Sequence, residues 1–522
     1  MAPVEVDVLN SNREPLFQIT SAVVLVDLCL VTVLRYISHA VRALPPAQKT
    51  RYREEQRKKI LTTFGSLAFA SILVLLYHWV YALVGSYDAW ADQQGETTPG
   101  ALWDGWYAGT DDQDWQLGRW WQDAKPLDDF KRAALGSSKA VWWTQQLLVS
   151  RIAFSAFVGI EGRRRDIPGW AVAAVCGLAE FASLSLAQSM FFVMLTVTPA
   201  PATRTQRGSR WAPHVLVYLL PIAAAATLTG LLPGLASNDA GWIAEYGSRL
   251  GAFFLAAGTR PNIAKLNLQF VPEKFGRQYK DAHAAHRAEA RVYSAISIVA
   301  TAFFMRSTFW GALLNSGASY ERRYNTVWST HPAYDRPIWS KLASASMKIL
   351  GAISTDPIIG VIGWDVLLSG FGLCIWAASR GLDVRDMLNS IIPSLRREST
   401  EDKPAVKEET PTSPTESQRS SPAGRRGRPK KNQSSTAQEP ASPVTRRSPR
   451  KRSATHDSDA DDASYAPPAN IEAEIADLEH DEERDDTVAE DAEASALAWG
   501  LSLIGGLGLM SAAVMGAEVR SG

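Results

Sequence analysis

Six polar or ionisable residues lie inside long apolar runs of this sequence, where their chemistry would be felt most strongly. Ionisable groups in hydrocarbon are costly, so they usually face the interior of a helix bundle and pair there. They could serve transport or catalysis, or they could be structural pairs, for example Asp27 or Glu180 with Arg306. The six candidates are Asp27, Arg35, Glu180, Gln188, Arg306 and Asp365.

A short basic run in the C-terminal part forms a second set of candidates. It resembles an AT-hook, whose Arg-Gly-Arg-Pro core lies in the narrow minor groove of A·T-rich DNA. Three interpretations stay open: contact with A·T-rich DNA, a nuclear-import signal, or contact with anionic lipid headgroups. The candidate contact residues are Arg425, Arg426, Arg428, Lys430 and Lys431, and Gly427 and Pro429 complete the motif.

Histidine and glutamate also recur at a spacing of three, as His283, His286 and Glu289. These residue types can bind a metal ion, but the other histidines of the chain are scattered singly. The sequence contains no phosphate-binding glycine loop, nucleophile elbow or paired-cysteine motif. We therefore predict a solvated helix face at these histidines, and no metal site, cofactor or catalytic residue.

The composition separates the chain of 522 residues into two unlike parts. The first part is rich in Ala, Leu, Val, Phe and Trp, whereas residues 396–493 are almost purely polar. The formal charge is zero, with 54 basic and 54 acidic residues, so no global field indicates a partner. The three cysteines, Cys29, Cys176 and Cys374, lie in apolar runs and are interpreted as packing residues.

Apolar runs of membrane-spanning length dominate the first part, since a helix of about 20 apolar residues crosses a bilayer. After a polar N-terminal segment at residues 1–18, residues 19–378 are predicted to form a transmembrane helical core. The predicted spans lie near residues 19–41, 61–84, 141–160, 170–197, 215–235, 292–314 and 357–378.

Basic connectors predict which side of the membrane each loop occupies. Arg163, Arg164 and Arg165 join two apolar runs and are expected to be cytosolic. If residues 241–258 form an interfacial helix, the basic segment 260–291 and the tail also become cytosolic. Arg204, Arg207 and Arg210 then remain as a mismatch on the outer side. The tryptophan-rich acidic loop 85–139 is expected outside, with its rings anchored at the headgroups or forming an aromatic ligand platform.

The tail at residues 379–493 is predicted to be disordered, because neither of its charged blocks can bury enough apolar surface to fold. Residues 396–455 are basic and carry several Ser-Pro pairs, and residues 456–493 are acidic. Residues 494–519 are apolar again and are predicted to be a C-terminal transmembrane helix. Gly508, Ala512 and Gly516 share one face of it, which permits close helix–helix association.

The segment from Trp142 to Leu388 resembles multi-pass membrane proteins of filamentous fungi, through Glu161-Gly162-Arg163-Arg164-Arg165 and Ile362-Gly363-Trp364-Asp365. The resemblance implies a membrane fold and no particular activity.

The predicted fold is therefore an all-α polytopic transmembrane bundle with a long disordered tail and a C-terminal transmembrane helix. The expected function is that of a non-enzymatic membrane protein whose charged tail binds or tethers partners. The alternatives are a transporter or channel-like protein using buried acids, and a membrane-embedded lipid or terpenoid enzyme. The expected location is an endomembrane (endoplasmic reticulum or nuclear envelope) or the plasma membrane, with the tail cytosolic or nucleoplasmic.

Overall fold

The computed structural model describes residues 12–43, 51–98, 115–198, 211–235, 255–256, 276–279, 282–316, 338–392 and 488–521. These residues form helices and one two-stranded antiparallel ribbon. The elements are α1 (Arg13–Ala43), α2 (Arg51–Gln94), α3 (Leu117–Ala124), α4 (Pro126–Gly136), α5 (Ser138–Arg164), α6 (Gly169–Phe181), α7 (Leu184–Val197), β1 (Trp211–Pro213), α8 (Val215–Leu235), β2 (Gly276–Gln278), α9 (Ala282–Asn315), α10 (Ile338–Thr355), α11 (Pro357–Arg380), α12 (Val384–Ile391) and α13 (Val488–Ser521).

Short polar side chains fix where several of these helices begin. The hydroxyl of Ser137 accepts a hydrogen bond from Ala140 N at the start of α5. Asp356 accepts from Ile358 N and Ile359 N at the start of α11, directly before Pro357. Such caps satisfy backbone N–H groups that have no partner within the helix. The helices therefore begin at defined residues although their sequences are almost uniformly apolar.

Five helices are long and apolar enough to cross a membrane. They are Arg13–Ala43, Arg57–Gln94, Ala284–Asn315, Pro357–Arg380 and Ala492–Ser521. Large apolar side chains on their outer faces are exposed, such as Phe69, Phe309 and Leu503. Such a surface is suited to lipid and unsuited to water. The predicted all-α transmembrane bundle with a C-terminal transmembrane helix is thus confirmed.

The C-terminal helix α13 lies at the centre of the bundle rather than at its edge. It packs against α5, α9, α11 and α12. Its residues from Ala512 to Val514 are completely buried in the main apolar core. Gly508 and Gly516 permit this close packing, because a Cβ at Gly508 would lie 2.8 Å from Val149 Cγ1 and one at Gly516 would lie 2.7 Å from Ser390 Cβ. The small-residue face is therefore occupied within the chain itself.

Helix directions define two ends of the bundle. The arginine end carries Arg163, Arg164, Arg165, Arg380 and Arg520, because α5, α11 and α13 all finish there. Helix α2 runs the opposite way, from Phe64, which packs on Trp376, to Trp90. The other end, which we call the tryptophan end, is built from Trp90, Trp115 and Trp120.

The predicted fourth span, residues 170–197, is wrong as a single crossing. Helix α6 ends at Phe181, and α7 begins at Leu184 and runs back beside it. Arg165 Nη1, just before α6, donates to both Leu195 O and Thr198 O at the end of α7, each at 2.9 Å. Both ends of this pair, the α6–α7 hairpin, therefore lie at the arginine end.

This hairpin changes the predicted side of the following connector. Thr198 lies at the arginine end, and so does Tyr218 near the start of α8, since its hydroxyl contacts Glu289 at 3.4 Å. Arg204, Arg207 and Arg210 are outside the described residues, but the residues that flank them lie on the side of the other arginines. The described ends of this connector therefore lie at the arginine end, whereas the sequence placed the connector on the opposite side.

The described elements on either side of residues 236–275 lie at different ends of the bundle. Gly230 packs on Phe303 and α8 reaches α4, which places its last residues away from the arginine end. The strand β2 pairs with β1, which precedes α8 at the arginine end. The segment predicted as an interfacial helix, residues 241–258, lies between these elements and is outside the described residues apart from the buried Leu255 and Ala256.

Helix α13 is also broken in the middle of the bundle, at Gly505 and Gly506, which have non-helical backbone angles. Leu507 in the second half packs at Gly370 of α11, and Ser495 O in the first half lies 3.9 Å from Cys374 Sγ. Gly370 and Cys374 are about 6 Å apart along α11, whereas twelve residues of straight helix would separate Ser495 and Leu507 by about 18 Å. The break therefore brings residues of both halves against one stretch of α11.

At the tryptophan end, the rings pack on one another instead of pointing outwards. Trp90, Trp115 and Trp120 are at most 7 % exposed and surround Tyr87. Asn12 donates to Trp115 O at 2.7 Å and ties the N-terminal helix to this cluster. These three tryptophans form a small second core. The predicted disordered tail, residues 379–493, is wrong at its two ends, because Val384–Ile391 form α12 and Val488 begins α13; residues 393–487 lie outside the described residues.

Candidate functional site

Asp365 lies at the tip of the α6–α7 hairpin and is only 3 % exposed. Its Oδ1 accepts from Ser185 N at 2.8 Å and from Ser183 Oγ at 3.1 Å, and its Oδ2 accepts from Leu184 N at 3.0 Å. Asp365 precedes Arg380 by fifteen residues of helix, or about 22 Å at 1.5 Å per residue. The carboxylate therefore lies deep in the apolar bundle, where it holds the N-terminus of α7.

Backbone groups rather than a cation compensate this carboxylate. Among the residues that the structure describes, no Arg, Lys or His forms an ion pair with Asp365. The N-terminus of α7 carries a partial positive charge, but the C-terminus of α6, with the opposite partial charge, ends at the same tip. The partial charges of the two helix ends therefore largely offset one another at this tip.

Two further buried polar side chains lie one turn closer to the arginine end. Helices α7 and α11 run parallel, since Ser185 meets Asp365 at the tip and Phe192 stacks on Trp376 farther on, with ring centroids 4.3 Å apart. Gln188 and Ser369 occupy the intermediate turn of these two helices and are each 1 % exposed. Oε1 and Nε2 of Gln188 and Oγ of Ser369 have no hydrogen-bond partner in the described part of the chain.

The break in α13 resembles the hairpin tip in its chemistry. Gln146 Oε1 accepts from Leu507 N at 3.1 Å, so a side chain of α5 caps the second half of α13. A cavity of about 10 Å³ adjoins the break and is lined by Gln145, Phe304, Ser307 and Gly505 among others. This volume is at the lower limit for holding one water molecule. A second helix thus begins inside the bundle with its backbone donor satisfied from another helix.

The arginine end holds its charges in a different way. Glu161, 2 % exposed, pairs with Arg164 and with Arg165, whose Nε lies 3.1 Å from Glu161 Oε2. Burial alone would raise the pKa of Glu161, but the two guanidinium groups outweigh it and hold this pKa below its ordinary value. Glu161 follows the predicted span 141–160 directly and is ionised at neutral pH.

Two more buried carboxylates complete this network. Glu289 pairs with Arg163, and Arg164 Nη2 lies 3.3 Å from His286 Nδ1. Glu518 of α13 accepts from Arg380, with Nη2 2.6 Å from Oε1. It also lies 3.7 Å from Arg165. The arginine end therefore joins α5, α9, α11 and α13 through ion pairs.

His286 and Glu289 thus differ from the predicted solvated face. They are 9 % and 2 % exposed and lie against the arginines. The side chain of His283 is outside the described residues. In the described ranges no group of three or more His, Cys, Asp or Glu side chains could hold a metal ion. The sequence analysis missed this burial, because it did not pair the acidic and histidine face of this helix with the three consecutive arginines.

The six predicted intramembrane residues lie in three different structural environments. Asp27, Arg35 and Arg306 are exposed on the outer faces of α1 and α9. Glu180 pairs with Arg151 at 3.6 Å, and not with Arg306 as the sequence suggested. Gln188 and Asp365 lie on α7 and α11, two helices that pack against each other. Ser369 and Gln146 were not among the sequence candidates, because nothing in an apolar run shows which polar residue faces a helix terminus.

The five basic residues of the AT-hook-like motif, Arg425, Arg426, Arg428, Lys430 and Lys431, lie outside the described residues. Comparison with known proteins gives no relative: no family model, no curated protein and no solved structure matches this chain.

Proposed function

We propose that this protein carries a small ion or polar solute across a membrane through the middle of its bundle. One observation supports the proposal above the others: two helices, α7 and the second half of α13, begin inside the apolar core. Irregular backbone at membrane depth is tolerated where it is buried in protein or lines a pathway, and transporter sites are often built from interrupted helices.

The buried acid gives this pathway its chemistry. Asp365 is the one predicted intramembrane acid that the described residues place at a helix start, whereas Glu180 is compensated by Arg151. An ionisable side chain at membrane depth without a charged partner is a functional candidate. Asp365 is thus the residue on which the movement of a charge would depend.

Flux into vesicles tests the proposal. The full chain is reconstituted, and the movement of sodium, potassium and protons is measured with and without an imposed membrane potential. We expect flux of at least one of them and a large loss of it in Asp365→Asn. Arg306→Gln is the matched control, because Arg306 is exposed on the outer face of α9. Absence of flux for all three ions, or full activity in Asp365→Asn, would count against an ion pathway.

The charged tail favours a second function, that of recruiting a polyanionic partner. Helices α12 and α13, on either side of the tail, pack on each other, and Arg520 Nε lies 2.8 Å from Asp386 Oδ1. The residues between them are therefore held at both ends by one bundle. Basic clusters of this kind bind anionic lipid or DNA by charge, and phosphorylation at Ser-Pro pairs would weaken them.

This second function has its own measurement. The full chain in nanodiscs is titrated with A·T-rich duplex, with G·C-rich duplex and with acidic vesicles at two salt concentrations. Replacing Arg426, Arg428, Lys430 and Lys431 by Gln should weaken the binding and reduce its salt dependence. Preference for A·T-rich duplex would identify DNA, and binding to vesicles alone would identify lipid. Binding to none of them at low salt would remove this function.

A further inference from the structure

We propose that Asp365, Gln188 and Ser369 form a binding site for a sodium ion. The inference rests on the proposed transport function and names its ion. It begins from the surroundings of Asp365: the side chain is buried, its three hydrogen-bond partners all donate to it, and no cationic side chain among the described residues pairs with it.

The hydrogen bonds of Asp365 leave room for a ligand. All three partners donate, so the side chain of Asp365 is the acceptor in each bond. Two of the donors act on Oδ1 and one on Oδ2, whereas a carboxylate offers about four acceptor positions. A lone pair of Oδ2 therefore remains to coordinate a cation.

Gln188 and Ser369 supply the other oxygen atoms. Gln188 Oε1 and Ser369 Oγ have no partner among the described residues, although both side chains are 1 % exposed. An unpaired buried polar group costs about 1–3 kcal/mol, which makes two of them on adjoining helices unexpected without a ligand. The parallel register of α7 and α11 brings both to the turn next to Asp365.

Charge and ligand type select the ion. Hard cations prefer oxygen ligands, and divalent ions generally require more carboxylate charge than the single one present here. A monovalent ion balances Asp365 and leaves the site neutral. Helix ends at an interrupted helix are a recurrent place for sodium in transporters, and the last carbonyl groups of α6 lie at the same tip.

Thermal unfolding of the purified full chain tests the site directly. The melting temperature is measured at constant ionic strength in sodium, lithium, potassium and choline chloride. We expect a saturable rise of a few degrees in sodium over choline, because a ligand that binds only the folded state stabilises it. The rise should be smaller in potassium. Equal melting temperatures in all four salts would overturn the proposal.

Two variants connect the effect to these residues. Gln188→Met and Ser369→Ala should fold, since they replace unpaired polar groups by apolar ones, and both should lose most of the sodium-dependent rise. Gln145→Met is the matched control: Gln145 is a buried glutamine with an unpaired Oε1 that belongs to the cavity at the α13 break. A rise that persists in Gln188→Met would overturn the assignment.

The outcome can be separated from that of the transport assay. A sodium-dependent rise without any flux supports the site and removes the transport function. Flux of another ion without a sodium effect overturns the site and leaves the transport function intact.

Discussion

Buried carboxylates have different partners at the arginine end and in the middle of the bundle. At the arginine end, Glu161, Glu289 and Glu518 each meet at least one guanidinium group. In the middle, Asp365 meets a helix terminus and a hydroxyl. The first arrangement fixes four helices to each other, and its charges cancel. In the second arrangement, the donors to Asp365 all belong to one hairpin.

The two kinds of partner predict different effects of substitution on stability and on ligand response. A network of paired ions holds one geometry, because moving any member leaves another charge buried and unpaired. A carboxylate held by backbone N–H groups can exchange them for another cation or donor. We therefore expect substitutions at the arginine end to affect stability most, and substitutions in the middle to affect ligand response as well.

The largest effect is expected for Glu518→Ala. It leaves Arg165 and Arg380 without this carboxylate, and breaking a buried pair costs about 3–5 kcal/mol. The melting temperature of the purified protein measures the loss. Glu96→Ala is the control, because Glu96 pairs with Arg119 at 28 % side-chain exposure and should cost about 0–1 kcal/mol. Equal losses in the two variants would show that burial at the arginine end is unimportant.

Asp365→Ala should give the next largest effect. Leu184 N and Ser185 N lose their acceptor, and a buried donor without a partner costs about 1–3 kcal/mol. Thermal unfolding in choline chloride measures this loss without a contribution from sodium. Asp356→Ala, which removes an ordinary N-cap, is expected to cost about 1 kcal/mol. A smaller loss at Asp365 than at Asp356 would contradict the role of the hairpin tip.

Gly506→Ala tests the second helix break. Gly506 has φ +67°, and an added Cβ would lie 2.7 Å from Gln146 Oε1. Strain at such a position costs about 1–3 kcal/mol. Gly500→Ala in the same helix has open space around it and should be neutral or slightly stabilising. If both variants melt at the same temperature, the break does not require glycine.

The smallest effect is expected in the pH dependence. The arginines hold the pKa of Glu161 below its ordinary value of 4.5, so its contribution to stability is present above that pH. The contribution is lost as the pH falls through the lowered pKa. Glu161→Gln should therefore reduce the acid-dependent fall in melting temperature. An unchanged pH profile in Glu161→Gln would contradict the lowered pKa.

The pKa of Asp386 is raised by burial and by Asp383, despite Arg520. Asp386→Asn should therefore change the pH dependence of the melting temperature in the opposite direction.

The sequence predicted where apolar helices lie along the chain better than it predicted where they turn back. Residues 357–378 were predicted as a span and form most of α11, because hydropathy and the Asp356-Pro357 start are local signals. The α6–α7 hairpin was missed, because Ala182 and Ser183 are as compatible with an apolar run as with a turn. Gly177, the glycine nearest the middle of this run, does not mark the turn: it is helical and packs on Cys29.

The candidate site was predicted only in part for a related reason. Asp365 and Gln188 could be recognised as polar residues in apolar runs, but their relation depends on two parallel helices that are far apart in the chain. Arg163, Arg164 and Arg165 were correctly recognised as a connector between apolar runs. Their burial against Glu289 and Glu518 could not be predicted, because it requires the C-terminal helix to return to the centre of the bundle.

The position of α13 has a consequence for the integrity of the molecule. Its second half contributes Glu518 and the buried residues from Ala512 to Val514, yet it is joined to the rest of the bundle only through the long polar segment after Ile392. A protease that cuts this segment would produce two polypeptides that stay assembled. Gene fragments divided there should reconstitute one working protein when they are expressed together.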